Sequence, residues 1–212
     1  MQTALWSGAA AIGFISLLFV AELVARRWSL RPEIGRKLAH VSCGLLAAPL
    51  PSFLPFSAVA LLAAAFIPFM LVSRRLGLFP IVHSAERTTY GEIYFPIGIL
   101  LAAVLVPHEV AYAFGVLVLA VADALASVVG QRYGRRAYKP ANKTYVGSTA
   151  FLITTIVLGL GAAQTLGRLS VTTTLLVCVV ATAVTIEEAL AGGGVDNIIL
   201  PVSAAALFRV MI

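Results

Sequence analysis

The chain has 212 residues, of which 60% are hydrophobic and 11% charged, with a formal net charge of +6 and a mean hydropathy of +0.99. Water-soluble domains carry about 25% charged and about 45–50% apolar residues, so a soluble enzyme, a disordered chain and a secreted disulfide scaffold are all excluded. What remains is one all-α, polytopic membrane domain over residues 1–212, in which seven or eight crossings of about 20 residues each consume nearly the whole sequence.

In chain order, the predicted apolar runs span residues 3–24, 38–54, 56–73, 92–106, 109–129, 147–164, 170–190 and 197–212. The second and the last are short enough for a tilted or partly re-entrant course. Pro49, Pro51 and Pro55 separate the second run from the third, and Pro68 is expected to kink the third. The first run lacks the basic region that precedes a signal peptide's apolar stretch. Its positive charges, Arg26 and Arg27, come afterwards, so it reads as a retained helix. Cys43 and Cys178 both lie within apolar runs, where no disulfide framework is expected.

The loops sort by charge. With the N-terminus outside, the inner loops carry Arg26, Arg27, Arg31, Arg36 and Lys37, then Arg74, Arg75 and Arg87, then Arg132, Arg135, Arg136, Lys139 and Lys143. Only Arg168 and Arg209 are left outside, a strong positive-inside bias. Because the basic residues flank apolar runs, the net charge points to membrane topology and not to a nucleic-acid partner. The acids follow the bases: Glu22, Glu33, Glu86, Glu92, Asp123, Glu187, Glu188 and Asp196 all fall at or near the inner face. Positive-inside sorting gives acids little reason to do so. A polar site holding a metal-bound nucleotide at the cytoplasmic face does.

Four clusters carry candidate chemistry. In Arg36-Lys37-Leu38-Ala39-His40, Arg36, Lys37 and His40 share a helical face. Topology sorting explains Arg36 and Lys37 equally well, but His40 lies about one turn inside the membrane, where ionisable groups are costly. In Arg87-Thr88-Thr89-Tyr90-Gly91-Glu92, Gly91 permits a tight turn and Glu92 suits a helix N-terminus, which needs no further function. Asp123, Ser127 and Gly130 fall on one face of an otherwise uncharged helix. A bare carboxylate there demands a partner, a cation or a water-filled cavity. Lys143-Thr144-Tyr145-Val146-Gly147-Ser148 follows, with Gly147-Ser148 expected to open a helix whose free N–H groups favour phosphate. Ser148 as a plain N-cap is the simpler alternative. Last come Glu187-Glu188 and Asp196-Asn197, separated by Gly192, Gly193 and Gly194. Two carboxylates at a helix C-terminus oppose the dipole, which hints at a compensating cation. Asp196-Asn197 suits an N-cap or a magnesium site equally. No Walker-type phosphate loop occurs in the sequence.

Taken in this order, the clusters resemble the polyprenol kinase family of integral membrane proteins. That family includes dolichol kinases, phytol kinases and CTP-dependent diacylglycerol kinases, and is distantly similar to phosphatidate cytidylyltransferases. The resemblance rests on Arg36-Lys37-x-x-His40, Arg87-x-x-Tyr90-Gly91-Glu92, Asp123 with Gly130, Lys143-Thr144-x-x-Gly147-Ser148, and Glu188 through Asp196-Asn197. The stretch from Tyr90 to Pro96 is most similar to the phytol kinase branch. The chain departs from many members at Val146, where they carry an acid, and it is short for a dolichol kinase. The shortness favours a compact, prokaryotic phytol or short-prenol kinase.

The resemblance implies transfer of the γ-phosphate of CTP, with Mg²⁺ as cofactor, to the hydroxyl of a lipid alcohol drawn from the bilayer. The nucleotide would arrive from the cytoplasm. Arg36, Lys37, Arg87, Gly130, Lys143, Thr144, Gly147, Ser148 and Asn197 are the expected nucleotide-binding residues. Asp123, Glu188 and Asp196 are the expected metal ligands. Asp123, His40 and Lys143 are the expected catalytic residues, with His40 or Asp123 taking the hydroxyl proton. Two other readings stay open. A cytidylyltransferase would use the same nucleotide to make a CDP-lipid. A small transporter would also hold intramembrane charges, although nearer the midplane and within inverted repeats.

Overall fold

The structure is a computed structural model that describes residues 1–83, 90–138 and 143–212. Among these residues it is all-α apart from one small hairpin. The helices are α1 (Gln2–Arg27), α2 (Pro32–Ala47), α3 (Phe56–Arg75), α4 (Pro80–His83), α5 (Gly91–Leu105), α6 (Glu109–Leu117), α7 (Asp123–Tyr133), α8 (Tyr145–Thr165), α9 (Val171–Leu190) and α10 (Asp196–Met211).

Among the described residues, five helical stretches are long and apolar enough to cross a bilayer: α1, α3, the continuous α6–α7 rod, α8 and α9. The other three apolar runs fall on helices α2, α5 and α10, of 16, 15 and 16 residues. At about 1.5 Å rise per residue these fall short of a hydrocarbon core about 30 Å thick. Proline accounts for the break after α2: Pro49 and Pro51 turn the chain through a 3-10 turn at Leu50–Ser52. Pro68, by contrast, is accommodated inside an unbroken α3.

The bundle wears its apolar side chains outward. Leu5, Leu61, Val157 and Leu175 are all more than 60% exposed, while Glu22, Lys37, Asp123, Glu188 and Asn197 are buried. In water that arrangement would be untenable; against lipid it is the expected one, so the chain is a multi-pass membrane protein. Two packed groups share the interior. Helices α1 through α5 build one, α7 through α10 build the other, and α6 contributes to both. The α6–α7 rod is the most enclosed of the long helices, 61% buried, and runs through the middle.

Two local features were not expected. The first is a π-helical turn at Val118–Ala122, in which the Asp123 N–H reaches back five residues to the Val118 carbonyl. Such single turns widen a helix locally. The second is an antiparallel hairpin, Ala137–Tyr138 against Lys143–Thr144, within a stretch expected to be loop. The hairpin also corrects the expected start of the next helix. Helix α8 begins at Tyr145, two residues before Gly147, and its N-cap is Thr144, whose hydroxyl oxygen accepts the Gly147 N–H at 3.1 Å.

Candidate active site

Six elements converge on one polar cavity of about 620 Å³, within the range of about 300–1,000 Å³ usual for small-molecule sites. Helix α2 contributes Glu33, Arg36 and Lys37; α7 contributes Asp123, Ser127 and Gly130; the hairpin and the start of α8 contribute Lys143, Thr144, Gly147 and Ser148; α9 contributes Glu188; and α10 contributes Asp196.

Each carboxylate in the cavity has a cationic partner. Lys37 bonds Asp123 in a buried ion pair, although 86 positions separate them. Lys143 Nζ lies 2.6 Å from Glu188 Oε1 and 3.3 Å from Asp196 Oδ2. Burial alone would lower the Lys143 pKa, but the charges of Asp196, Glu188 and Asp123 outweigh it and hold the ammonium above the ordinary lysine value. Lys143 is therefore fully charged at neutral pH. Arg36 pairs with Glu33 at 2.7 Å, and the Ser127 hydroxyl reaches the same Glu33 oxygen at 3.4 Å.

Ser148 sits one turn inside α8 and is not its cap. Its hydroxyl donates to Glu188 Oε2 at 3.2 Å and also meets the Tyr138 hydroxyl. The cation that offsets the adverse position of Glu188 at the end of α9 is thus a lysine of this chain. Gly130 and Gly147 have a packing reason as well as a cavity position. A Cβ on Gly130 would sit 2.8 Å from Thr144 Oγ1, and one on Gly147 would sit 2.8 Å from the Ala126 carbonyl. The two glycines let α7 and α8 approach closely enough to close that wall.

Two expected residues fall elsewhere. Asn197 does not line the polar cavity: its side-chain N–H donates to the Gly91 carbonyl at 3.1 Å, tying the start of α10 to the start of α5. His40 lines a second, apolar cavity between α1, α2, α3 and α5. Its Nε2 is 3.1 Å from the Leu119 carbonyl within the π turn, and a carbonyl can only accept, so Nε2 carries the proton and Nδ1 is left as acceptor. Phe95 holds the ring edge-on at 4.6 Å. Arg36 lines both cavities and marks where they meet. Arg87 lies outside the described residues.

Sequence reasoning counted Glu33 only among the inner-face acids, without placing it in the site, and missed the surroundings of Glu92. Glu33 is three residues from Arg36, a spacing that signals a helical ion pair. Glu92 accepts from Arg74 at 2.9 Å and lies 3.4 Å from His83 Nδ1, and Arg74 also covers the Tyr90 ring. No local signal links residues 74, 83 and 92, because the contact exists only once α3 and α5 are packed together.

Among the described residues, no three His, Cys, Asp or Glu side chains group closely enough to hold a metal by themselves. Magnesium in nucleotide sites takes one or two carboxylates, with phosphate oxygens and waters completing the shell. Glu188 and Asp196, which reach the same lysine nitrogen, fit that hard-oxygen pattern.

The chain is 31% identical over 229 residues to the phytol kinase of Synechocystis sp., an alignment covering 98% of this chain and 92% of that protein. It is 29% identical over 145 residues to CTP-dependent diacylglycerol kinase 1 of Schizosaccharomyces pombe, covering 60% of this chain and 65% of the relative. Over 63 residues, 30% of the chain, it is 44% identical to an uncharacterized protein of Methanocaldococcus jannaschii. No family model and no solved structure matches it.

Proposed function

Because the chain belongs to the polyprenol kinase family that includes phytol kinase, we propose that it is a CTP-dependent kinase that phosphorylates the hydroxyl of a membrane lipid alcohol, phytol or another prenol, at the cytoplasmic face. The observation that carries this reading is the meeting of a charged cavity and an apolar cavity at Arg36. A water-borne polyphosphate and a bilayer-borne alcohol need those two environments side by side.

In this reading the CTP phosphates lie in the polar cavity against Arg36, Lys37 and Lys143, beside the first turn of α8. The first N–H groups of α8 favour an anion, although the Gly147 N–H is already taken by Thr144. Glu188 and Asp196, with Asp123 nearby, would hold Mg²⁺, which when bound neutralises the charge on the β- and γ-phosphates. Lys143 then has a second role: it is released from the carboxylates toward the phosphate oxygens. The alcohol oxygen forms its bond to the γ-phosphorus as the bond from that phosphorus to the β-phosphate oxygen breaks, and CDP departs. The hydroxyl proton goes to His40, whose Nδ1 is an acceptor and whose ring lines the cavity holding the lipid. Asp123, already engaged by Lys37, is the less available base. Phosphoryl transfer of this kind depends on positioning and charge neutralisation more than on covalent help from the protein.

Eight crossings with both termini outside would place this cavity on the cytoplasmic side, in keeping with the basic loops. The decisive experiment supplies the purified protein with CTP or ATP labelled at the γ-phosphate and a panel of phytol, geranylgeraniol, long polyprenol and diacylglycerol. The expected product is a labelled prenyl monophosphate formed with CTP. A CDP-lipid with release of pyrophosphate would overturn the kinase reading in favour of a cytidylyltransferase.

A further inference from the structure

The apolar cavity has a shape that goes beyond the presence of a lipid. It runs along α2 from Arg36, His40 and Glu92 at one end to Ala47, Leu50 and Val59 at the other. The surrounding helices agree on this direction. Gly13 of α1 lies against Leu46 and Gly35 against Ala25, so α1 runs antiparallel to α2. Phe14 of α1 is thus at the deep end, where it packs edge-on against Phe66 of α3 at 5.2 Å.

From Arg36 to Ala47 the helix rises about 16 Å at about 1.5 Å per residue. The cavity is open along part of its side and leaves about 80 Å³ for the centres of water-sized spheres. Spread over about 16 Å, that is a cross-section of about 5 Å² for those centres, or a slot about 5 Å wide once the sphere radius of about 1.4 Å is added. Volume and length therefore agree only if the space is a single file. A second hydrocarbon chain alongside the first has no room.

We propose that this cavity is a one-chain tail channel whose floor, formed by Ala47 and Leu50, sets the chain length of the lipid alcohol; the proposal rests on the lipid-kinase reading above for the identity of the headgroup chemistry. A zig-zag carbon chain advances about 1.25 Å per bond of about 1.5 Å, so the channel holds about 13 bonds beyond the hydroxyl end. That lies between the main chains of farnesol (about 11 carbon–carbon bonds) and geranylgeraniol (about 15), and a slot of this width does not take the paired chains of diacylglycerol. Ala47 and Leu50 are buried at 1% and 7% exposure, so a change in their volume falls directly on the channel.

The test measures kcat/KM with CTP across geraniol, farnesol, geranylgeraniol, solanesol and diacylglycerol, and separately the retention of tritiated prenols by the solubilised protein without nucleotide. Ala47→Phe is expected to move the optimum to farnesol, with about a fourfold loss for each methylene that no longer fits. Leu50→Ala is expected to move it toward longer chains. Leu61→Phe, on the outer side of α3 where Leu61 is 72% exposed, is expected to leave the profile unchanged. Opposite shifts in the two floor variants also guard against a folding defect in either one. Equal use of diacylglycerol and geranylgeraniol, or an unchanged length profile in both floor variants, would overturn the channel. If the wild-type protein retains prenols with the expected length profile but phosphorylates none of them, the kinase reading falls and the channel stands.

Discussion

Lys37 and Asp123 show side chains only 9% exposed each, so neither charge can be removed singly without leaving the other buried and unpaired. Breaking one side of such a pair costs about 3–5 kcal/mol, whereas replacing both can be nearly neutral. Thermal unfolding in detergent should therefore show large losses for Lys37→Met and for Asp123→Asn. The double variant should recover most of the stability while remaining inactive. Additive losses in the double variant would mean that the two side chains are not energetically coupled. Lys143 is expected to behave differently, because it serves phosphate as well as carboxylates. Lys143→Ala should lower the rate by one to two decades, corresponding to about 1.5–3 kcal/mol for a charged hydrogen bond. Ser148→Ala should cost about half that free energy or less, and Arg135→Ala, at an exposed position, should cost little. None of the three should alter lipid preference, since Lys143 and Ser148 line only the polar cavity. Similar rate losses for Lys143→Ala and Arg135→Ala in steady-state kinetics would remove Lys143 from the phosphate site.

At the scale of elements, the cavity depends on how closely helices approach. Helix α10 carries Asp196 at its start, and α5 is pressed against that start at Gly98. A Cβ there would lie 2.0 Å from the Asn197 carbonyl oxygen, a backbone atom that cannot turn aside. Pro201 belongs to the same contact: it has no N–H to offer the Asn197 carbonyl four residues earlier, which would otherwise be its helical partner. Gly98→Ala should therefore push α10 off α5 and destabilise the protein by about 1–3 kcal/mol, the usual cost of overpacking. It should also reduce activity by moving Asp196 relative to Glu188. Gly161→Ala, which meets nothing within 4 Å, is the matched control and should be neutral or slightly stabilising through helix propensity. Comparable unfolding midpoints for the two variants would show that the α5–α10 approach is not tight.

For the whole molecule, the loop charges carry the proposed orientation, with the hairpin on the cytoplasmic side. Single cysteines at Gln2 and Arg136, in a background with Cys43 and Cys178 replaced, should label from opposite sides of the membrane with an impermeant thiol reagent. Labelling of both from one side would reverse the assignment of the hairpin to the cytoplasm. Beside the long α1, α3, α6–α7, α8 and α9 stand the shorter α2, α5 and α10, and it is these shorter helices that carry many of the charged groups. Arg36 and Lys37 lie on α2, Glu92 starts α5 and Asp196 starts α10. Short apolar helices leave their ends, and the charges on them, within the molecule's thickness instead of beyond it.

Much was already settled by the amino-acid sequence, because membrane insertion reads local composition. Hydropathy alone marks every long helix, and the excess of acids near basic loops points to a polar site before any fold is known. Asp123 and Glu188 were legible as costly or oddly placed charges, and Lys143 and Asp196 through the family resemblance. Their partners were not. That Lys37 answers Asp123 and Lys143 answers Glu188 depends on side chains from helices far apart in sequence, and no periodicity encodes which helices become neighbours. The same limit explains Asn197, whose amide bonds a carbonyl 106 positions away, and Ser148, displaced from its expected cap by a hairpin that pairs Ala137 with Thr144. The separation of His40 into an apolar cavity, apart from the charges beside it in sequence, was decided by tertiary structure alone. One helical turn separates Arg36 from His40, but the neighbours that α1, α3 and α5 bring to that turn differ, and those neighbours make one side of it polar and the other apolar.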